Sequence, residues 1–162
     1  MVCGLALIVG ACATGQGESG AAPTTASTAG SRGEPIVIRL RLVIADAEGA
    51  EIVATGEVLE GSTVGATRFC VGGTTEDRHA SEDPAMEPYG LLDRTITCPD
   101  GTVRVGFTPE VVPLGETQGG SWTIVSGTGR YEGLRGGGEM VNEPGPDREA
   151  PAHETLAGTA TR

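Results

Sequence analysis

Lysine is absent, and all eleven cations of this 162-residue chain are arginine. That removes Schiff-base chemistry, lysine nucleophiles and every phosphate loop ending in Gly-Lys-Ser/Thr. No basic block offsets the net charge of -11, which argues against nucleic acid as a partner because such binding begins by neutralising phosphates. Aromatic side chains are scarce: Trp122, Tyr89, Tyr131, Phe69 and Phe107. There is no G-x-S-x-G, no H-E-x-x-H and no C-x-x-C, so the hydrolase and zinc templates fail together. Gly127, Gly129 and Gly133 give G-x-G-x-x-x-G, one residue too long for a dinucleotide fingerprint, and they sit at a turn rather than at a helix start. What is abundant is glycine, 27 residues, with 10 prolines, a composition of many turns and short strands.

Residues 1–13, MVCGLALIVGACA, form an uncharged apolar run. About twenty apolar residues are needed to span a bilayer, so this run has the length of a signal-peptide core instead. Its end, Leu7-Ile8-Val9-Gly10-Ala11-Cys12, resembles the lipobox of bacterial lipoproteins: an aliphatic residue, two small residues, then cysteine. The resemblance implies that residues 1–11 are removed and that Cys12 carries the lipid, placing the protein outside the cytoplasm on a cell membrane. A signal peptide normally opens with Lys or Arg, which is missing here, so a start a few residues upstream is expected. On this reading cleavage removes Cys3 and lipidation uses Cys12, leaving Cys70 and Cys98 for a disulfide in an oxidising compartment. Two free thiols, one of them reactive, are the alternative.

After Cys12 the chain is rich in Gly, Ala, Ser and Thr up to residue 33 and has almost no large apolar residue, which reads as a disordered, flexible tether. Its coil dimension is on the order of 25 Å. The folded domain is expected over residues 34–162, with a hydrophobic period of two rather than 3.6. In 36–44, Ile38, Leu40, Leu42 and Ile44 share a face opposite Arg39 and Arg41. Further strands are predicted at 51–59, 67–71, 92–98, 102–107, 121–126, 134–141 and 154–161, with Pro99-Asp100-Gly101 as a hairpin turn and 75–87 as a long polar loop. Eight short antiparallel strands without a convincing helix predict an all-β domain. A closed barrel, which leaves no sheet edge, is preferred to a sandwich.

Ser126-Gly127-Thr128-Gly129-Arg130-Tyr131-Glu132-Gly133-Leu134-Arg135-Gly136 resembles the late hairpin of the allene oxide cyclase and dirigent barrel superfamily. There an apolar strand runs into Gly-Thr-Gly-aromatic and then a small-residue-Arg-Gly strand. Asp100-Gly101-Thr102-Val103-Arg104-Val105-Gly106 is similar to the strand pair that precedes it there. The resemblance implies an eight-stranded barrel whose interior is the place to look for a ligand, and dimers or trimers as forms that occur in related barrels. In the cyclases a glutamate and a cysteine line the cavity. Cys70, in Gly65-Ala66-Thr67-Arg68-Phe69-Cys70-Val71, has a similar context, although a bond to Cys98 would occupy its sulfur, and the family's glutamate maps to no single position.

No catalytic residue, cofactor or metal is expected. His79 lies among Glu76, Asp77, Glu82 and Asp83 in a spacing that matches no metal loop, and His153 follows a Pro-rich stretch and is expected to be exposed. Alternation points Arg39, Arg41 and Arg104 outward, while Trp122 reads as core, with ligand stacking as its other use. Three functions follow. The first is a membrane-anchored barrel that binds a small apolar or amphipathic ligand without chemistry. The second is a surface lipoprotein with a solid barrel that contacts other proteins through the acidic 75–87 segment. The third, a cyclase or isomerase, requires an unpartnered ionisable group inside the barrel.

Overall fold

A computed structural model of the chain describes residues 33–45, 52–79, 90–147 and 149–162. The expected leader 1–11, the lipid-bearing Cys12 and the tether up to residue 32 lie outside the described residues. The described chain consists of strands β1 (Glu34–Ile44), β2 (Ile52–Val58), β3 (Thr63–Val64), β4 (Thr67–Arg68), β5 (Thr74–His79), β6 (Leu92–Cys98), β7 (Gly101–Pro109), β8 (Gln118–Gly127), β9 (Arg135–Glu143) and β10 (Ala152–Thr161), with one 3-10 turn at Gly129–Tyr131. Every pairing is antiparallel, and the sheet closes where β1 pairs with β10 from Glu34↔Ala160 to Leu42↔Ala152. The result is the expected eight-stranded closed barrel, made of β1, β2, β5, β6, β7, β8, β9 and β10.

Two strand assignments change. Residues 67–71 do not form a barrel strand: Thr67–Arg68 pairs only with β3, outside the ring. The eighth barrel strand is β5, taken from the first part of the stretch expected to be a loop. Its inward residues, Thr75 and Asp77, are polar, so the apolar alternation that betrays a strand is missing. The rest of that stretch, residues 80–87, lies outside the described residues.

One edge of β1 is shared, with β2 along its C-terminal half and β3 along its N-terminal half. The turn between them is tied to β1 by Ser62, whose buried hydroxyl accepts the Arg39 N–H at 2.9 Å and donates to the Leu59 carbonyl at 2.9 Å. A side chain thus supplies the acceptor that a regular ladder would have drawn from backbone.

Alternate residues fill the interior: Ile36, Ile38, Leu40 and Leu42 from β1, Val103, Val105 and Phe107 from β7, Trp122 and Ile124 from β8, and Leu156 from β10. Ile44, on the same face as Leu42, passes beyond the rim and is exposed. At the end where β1 begins, hereafter the tether end, Phe69, Tyr131 and Leu134 close the bore, the two rings packing edge to face with centroids 5.3 Å apart. On the opposite wall Gly138 of β9 faces Gly158 of β10, and a Cβ on Gly138 would sit 2.0 Å from the Ala157 carbonyl oxygen. This close approach leaves room for the Trp122 indole, whose Nε1–H is shared by the carbonyls of Glu139 (3.0 Å) and Ala157 (3.3 Å).

Cys70 and Cys98 are bonded, with Cα atoms 5.2 Å apart and a sequence separation of 28. The bond ties the segment after β4 to the end of β6, within the same buried cluster as Phe69. Closing a loop of this size stabilises the fold by about 3.5 kcal/mol on the chain-entropy argument. Replacing both cysteines by alanine is expected to lower the unfolding free energy in a urea titration by that order, and the non-reduced wild-type protein is expected to leave Cys70 and Cys98 unlabelled by a thiol-blocking reagent.

Candidate functional site

Three charged side chains meet inside the barrel. Arg94 of β6 makes a bidentate pair with Asp77 of β5, Nε to Oδ1 at 2.7 Å and Nη2 to Oδ2 at 2.6 Å. Its Nη1 donates to Oε1 of Glu154, and Nη2 reaches Oε2 at 3.4 Å. Glu154 lies on β10, four strands from β6 in either direction around the ring, so the guanidinium bridges opposite walls. None of the three side chains is more than 4% exposed. The Phe107 ring lies under the guanidinium carbon, 4.7 Å from its centroid. Burial alone would lower the pKa of Arg94, but Glu154 and then Asp77 outweigh it and raise the value, which keeps the cation charged at every accessible pH. Chemically this is a crossbar rather than a catalytic group. Both buried acids face one cation, which is not the unpartnered ionisable group a cyclase requires.

A second feature lies at the far end, where β1 finishes. Val43 and Ile44, more than half exposed, face Leu114, Pro144, Pro146 and Ala150 across a groove of about 390 Å³. Asp147 and Glu149 stand on its lip. The Asp147 carboxylate accepts the N–H groups of Glu149 (3.1 Å) and Ala150 (2.9 Å), which shapes that wall. The groove is the size of a small-molecule site, and its lining is mainly apolar with few polar groups.

The residues singled out in the sequence are distributed as follows. Trp122 is 2% exposed and belongs to the core cluster. Gly127, Thr128 and Gly129 end β8 and open the 3-10 turn, with Gly129 at φ +57° and the Thr128 hydroxyl accepting the Thr102 N–H at 3.0 Å. Arg41 pairs with Glu57 (2.8 Å) and Arg104 with Asp93 (2.6 Å) on the outer wall, and Arg39 is also outward. His79 ends β5 at the surface and His153 is exposed on β10. The acids around His79 are not gathered: Glu76 pairs with Arg78 (2.7 Å), Asp77 turns inward, and Glu82 and Asp83 lie outside the described residues. Among the described residues no three His, Cys, Asp or Glu side chains converge as metal ligands would. With its sulfur bonded to Cys98, Cys70 offers no thiol to a reaction.

Sequence reasoning missed the crossbar, although a signal was present. Arg94 is in phase with Leu92, Ile96 and Cys98, and Glu154 with Ala152 and Leu156, so each is a charge on an apolar face.

Fold and interior together define an antiparallel eight-stranded barrel, stapled by a disulfide and spanned by a buried Arg–carboxylate crossbar. No family model, no curated protein and no solved structure matches the chain.

Arg94→Met leaves two carboxylates buried without a cation and is expected to destabilise the barrel by roughly 3–5 kcal/mol in a denaturant titration. The triple change Asp77→Leu, Arg94→Met, Glu154→Leu is expected to recover most of that loss. Failure of the triple variant to do so would mean that the crossbar holds the barrel by more than charge balance. A second expectation concerns alkaline pH. Burial, then the Asp100 carboxylate, raises the pKa of Tyr131 above the usual tyrosine value. The folded state therefore holds that proton more tightly, a contribution fully present below about pH 10 and lost as pH climbs through the raised value. With no lysine to titrate in the same window, melting temperatures above pH 10 are expected to fall less steeply in Tyr131→Phe than in the wild type.

Proposed function

We propose that this chain is a lipid-anchored, extracytoplasmic barrel, akin to the allene oxide cyclase and dirigent group, that binds a small apolar or amphipathic ligand without transforming it. The far-end groove between Val43–Ile44 and the Pro144–Ala150 wall carries this reading, because exposed aliphatic side chains line a concavity of ligand size. Anchoring is supported by the lipobox-like Leu7-Ile8-Val9-Gly10-Ala11-Cys12, and an oxidising compartment by the bonded cysteines. The absence of chemistry is supported by the pairing of both buried acids with Arg94.

The crossbar also favours a second reading, a solid barrel that contacts another protein, because it occupies the bore in which the related barrels hold their ligands. Native mass spectrometry of the Cys12→Ser chain, purified without detergent, separates the two. A bound mass of a few hundred daltons that disappears on denaturation is expected, and the same spectrum gives the oligomeric state. Leu114→Asp is expected to weaken binding about tenfold, the worth of one buried aliphatic side chain. A clean apo mass would overturn the ligand reading in favour of a protein-contact surface.

A further inference from the structure

The tether end carries a cleft of the opposite character. Its floor is Phe69, Tyr131 and Leu134, its volume is about 410 Å³, and Arg68, Arg130 and Arg162 stand around it. Glu34 is the one acid in the lining. Arg130 is held loosely by Asp100, 3.3 Å away and half exposed, whereas Arg68 and Arg162 make no ion pair among the described residues. In a chain with twice as many acids as arginines, three guanidinium groups around one cleft are a local reversal of sign. The far end shows the contrary bias: it carries Glu110, Glu116, Glu143, Asp147 and Glu149, and its one arginine among the described residues, Arg78 near the end of β5, pairs with Glu76.

These two ends do not cancel. Nine paired residues of β1 and β10 span about 30 Å along the strand, or roughly 20–25 Å along the axis of a tilted barrel. The screening length at physiological ionic strength is about 8 Å. A surface seated on the cleft therefore meets its three arginines with Glu34 and the Asp100 that pairs with Arg130, while Glu60 and Glu132 stand elsewhere on this end and the distal acids are screened.

We propose that this cleft seats the phosphate headgroup of an anionic phospholipid, in the membrane that a lipid on Cys12 would enter. The proposal rests on the anchored reading above. β1 begins at Glu34 on the lip of the cleft, so the tether leaves the barrel beside the three arginines. A linker with the coil dimension expected from its sequence, on the order of 25 Å, would keep that end near the bilayer at an effective concentration in the millimolar range, where a weak headgroup contact is populated. Guanidinium groups suit phosphate oxygens, and the apolar floor suits the glycerol and first methylenes of the lipid. The contact turns the acidic far end, with its groove, away from the membrane.

The test is cosedimentation of the unlipidated full chain, Cys12→Ser, with vesicles of phosphatidylcholine alone or mixed with phosphatidylglycerol. Partition on the order of tenfold higher on the anionic vesicles is expected, falling at raised salt. In the double variant Arg68→Gln, Arg162→Gln it is expected to drop to the level of neutral vesicles. Arg39→Gln, Arg41→Gln removes the same charge from the outer wall and is expected to retain the preference, with unchanged melting temperatures certifying both folds. Equal partition on the two vesicles, or equal loss in the two double variants, overturns the proposal. So does saturable, arginine-dependent binding of inorganic phosphate without vesicle preference, which would make a free phosphate the occupant. Anchoring itself is read separately, from the intact mass of protein extracted from membranes, so its failure cannot be mistaken for failure of the cleft.

Discussion

Everything in this barrel depends on the ladder between β1 and β10. It pairs Glu34 through Leu42 with Ala152 through Ala160, the two ends of the domain, more than a hundred residues apart. Without it the sheet would present two long unpaired edges, and the aliphatic stripe Ile36-Ile38-Leu40-Leu42 would have no opposite wall. Closure also creates the crossbar, because Glu154 meets Arg94 only when the ring is complete. Pairing of such high sequence separation comes at a large entropic cost, so the barrel belongs among slow-folding topologies.

The crossbar gives that closure a definite register. A purely apolar bore tolerates small slips, since one aliphatic side chain packs nearly as well as another. An arginine bonded to two carboxylates does not. Moving β6 by one residue would turn Arg94 to the outer wall and strand Asp77 and Glu154 in the interior. Three desolvated charges contribute little net stability, and their value here lies in excluding alternatives.

Much of this was legible in the sequence, for identifiable reasons. β1 and β10 alternate cleanly because one face is buried in the bore and the other is wet, and β7 shows the same period in its side chains Val103, Val105 and Phe107. Pro99-Asp100-Gly101 marked its hairpin, and cysteine arithmetic marked the disulfide. β5 was illegible because its inward residues serve the crossbar rather than the apolar core, and the β3–β4 hairpin because two-residue strands carry no period. Ser62 looks like an ordinary turn serine until its hydroxyl is seen to replace a backbone acceptor. The candidate sites were the least legible. The far-end groove joins residues 43–44, 114 and 144–150, and the arginine cleft joins Arg68, Arg130 and Arg162, so only the topology brings either set together.

The lone indole gives the molecule an optical property of its own. Trp122 is the only tryptophan, and its N–H leans on carbonyls from two neighbouring strands, β9 and β10, across the glycine seam. β10 is also the strand that seals the ring. The indole therefore lies against the β9–β10 seam, one strand-width from the edge where β10 meets β1, and its emission colour follows the packing of the sealing strand, with no second tryptophan to blur the signal.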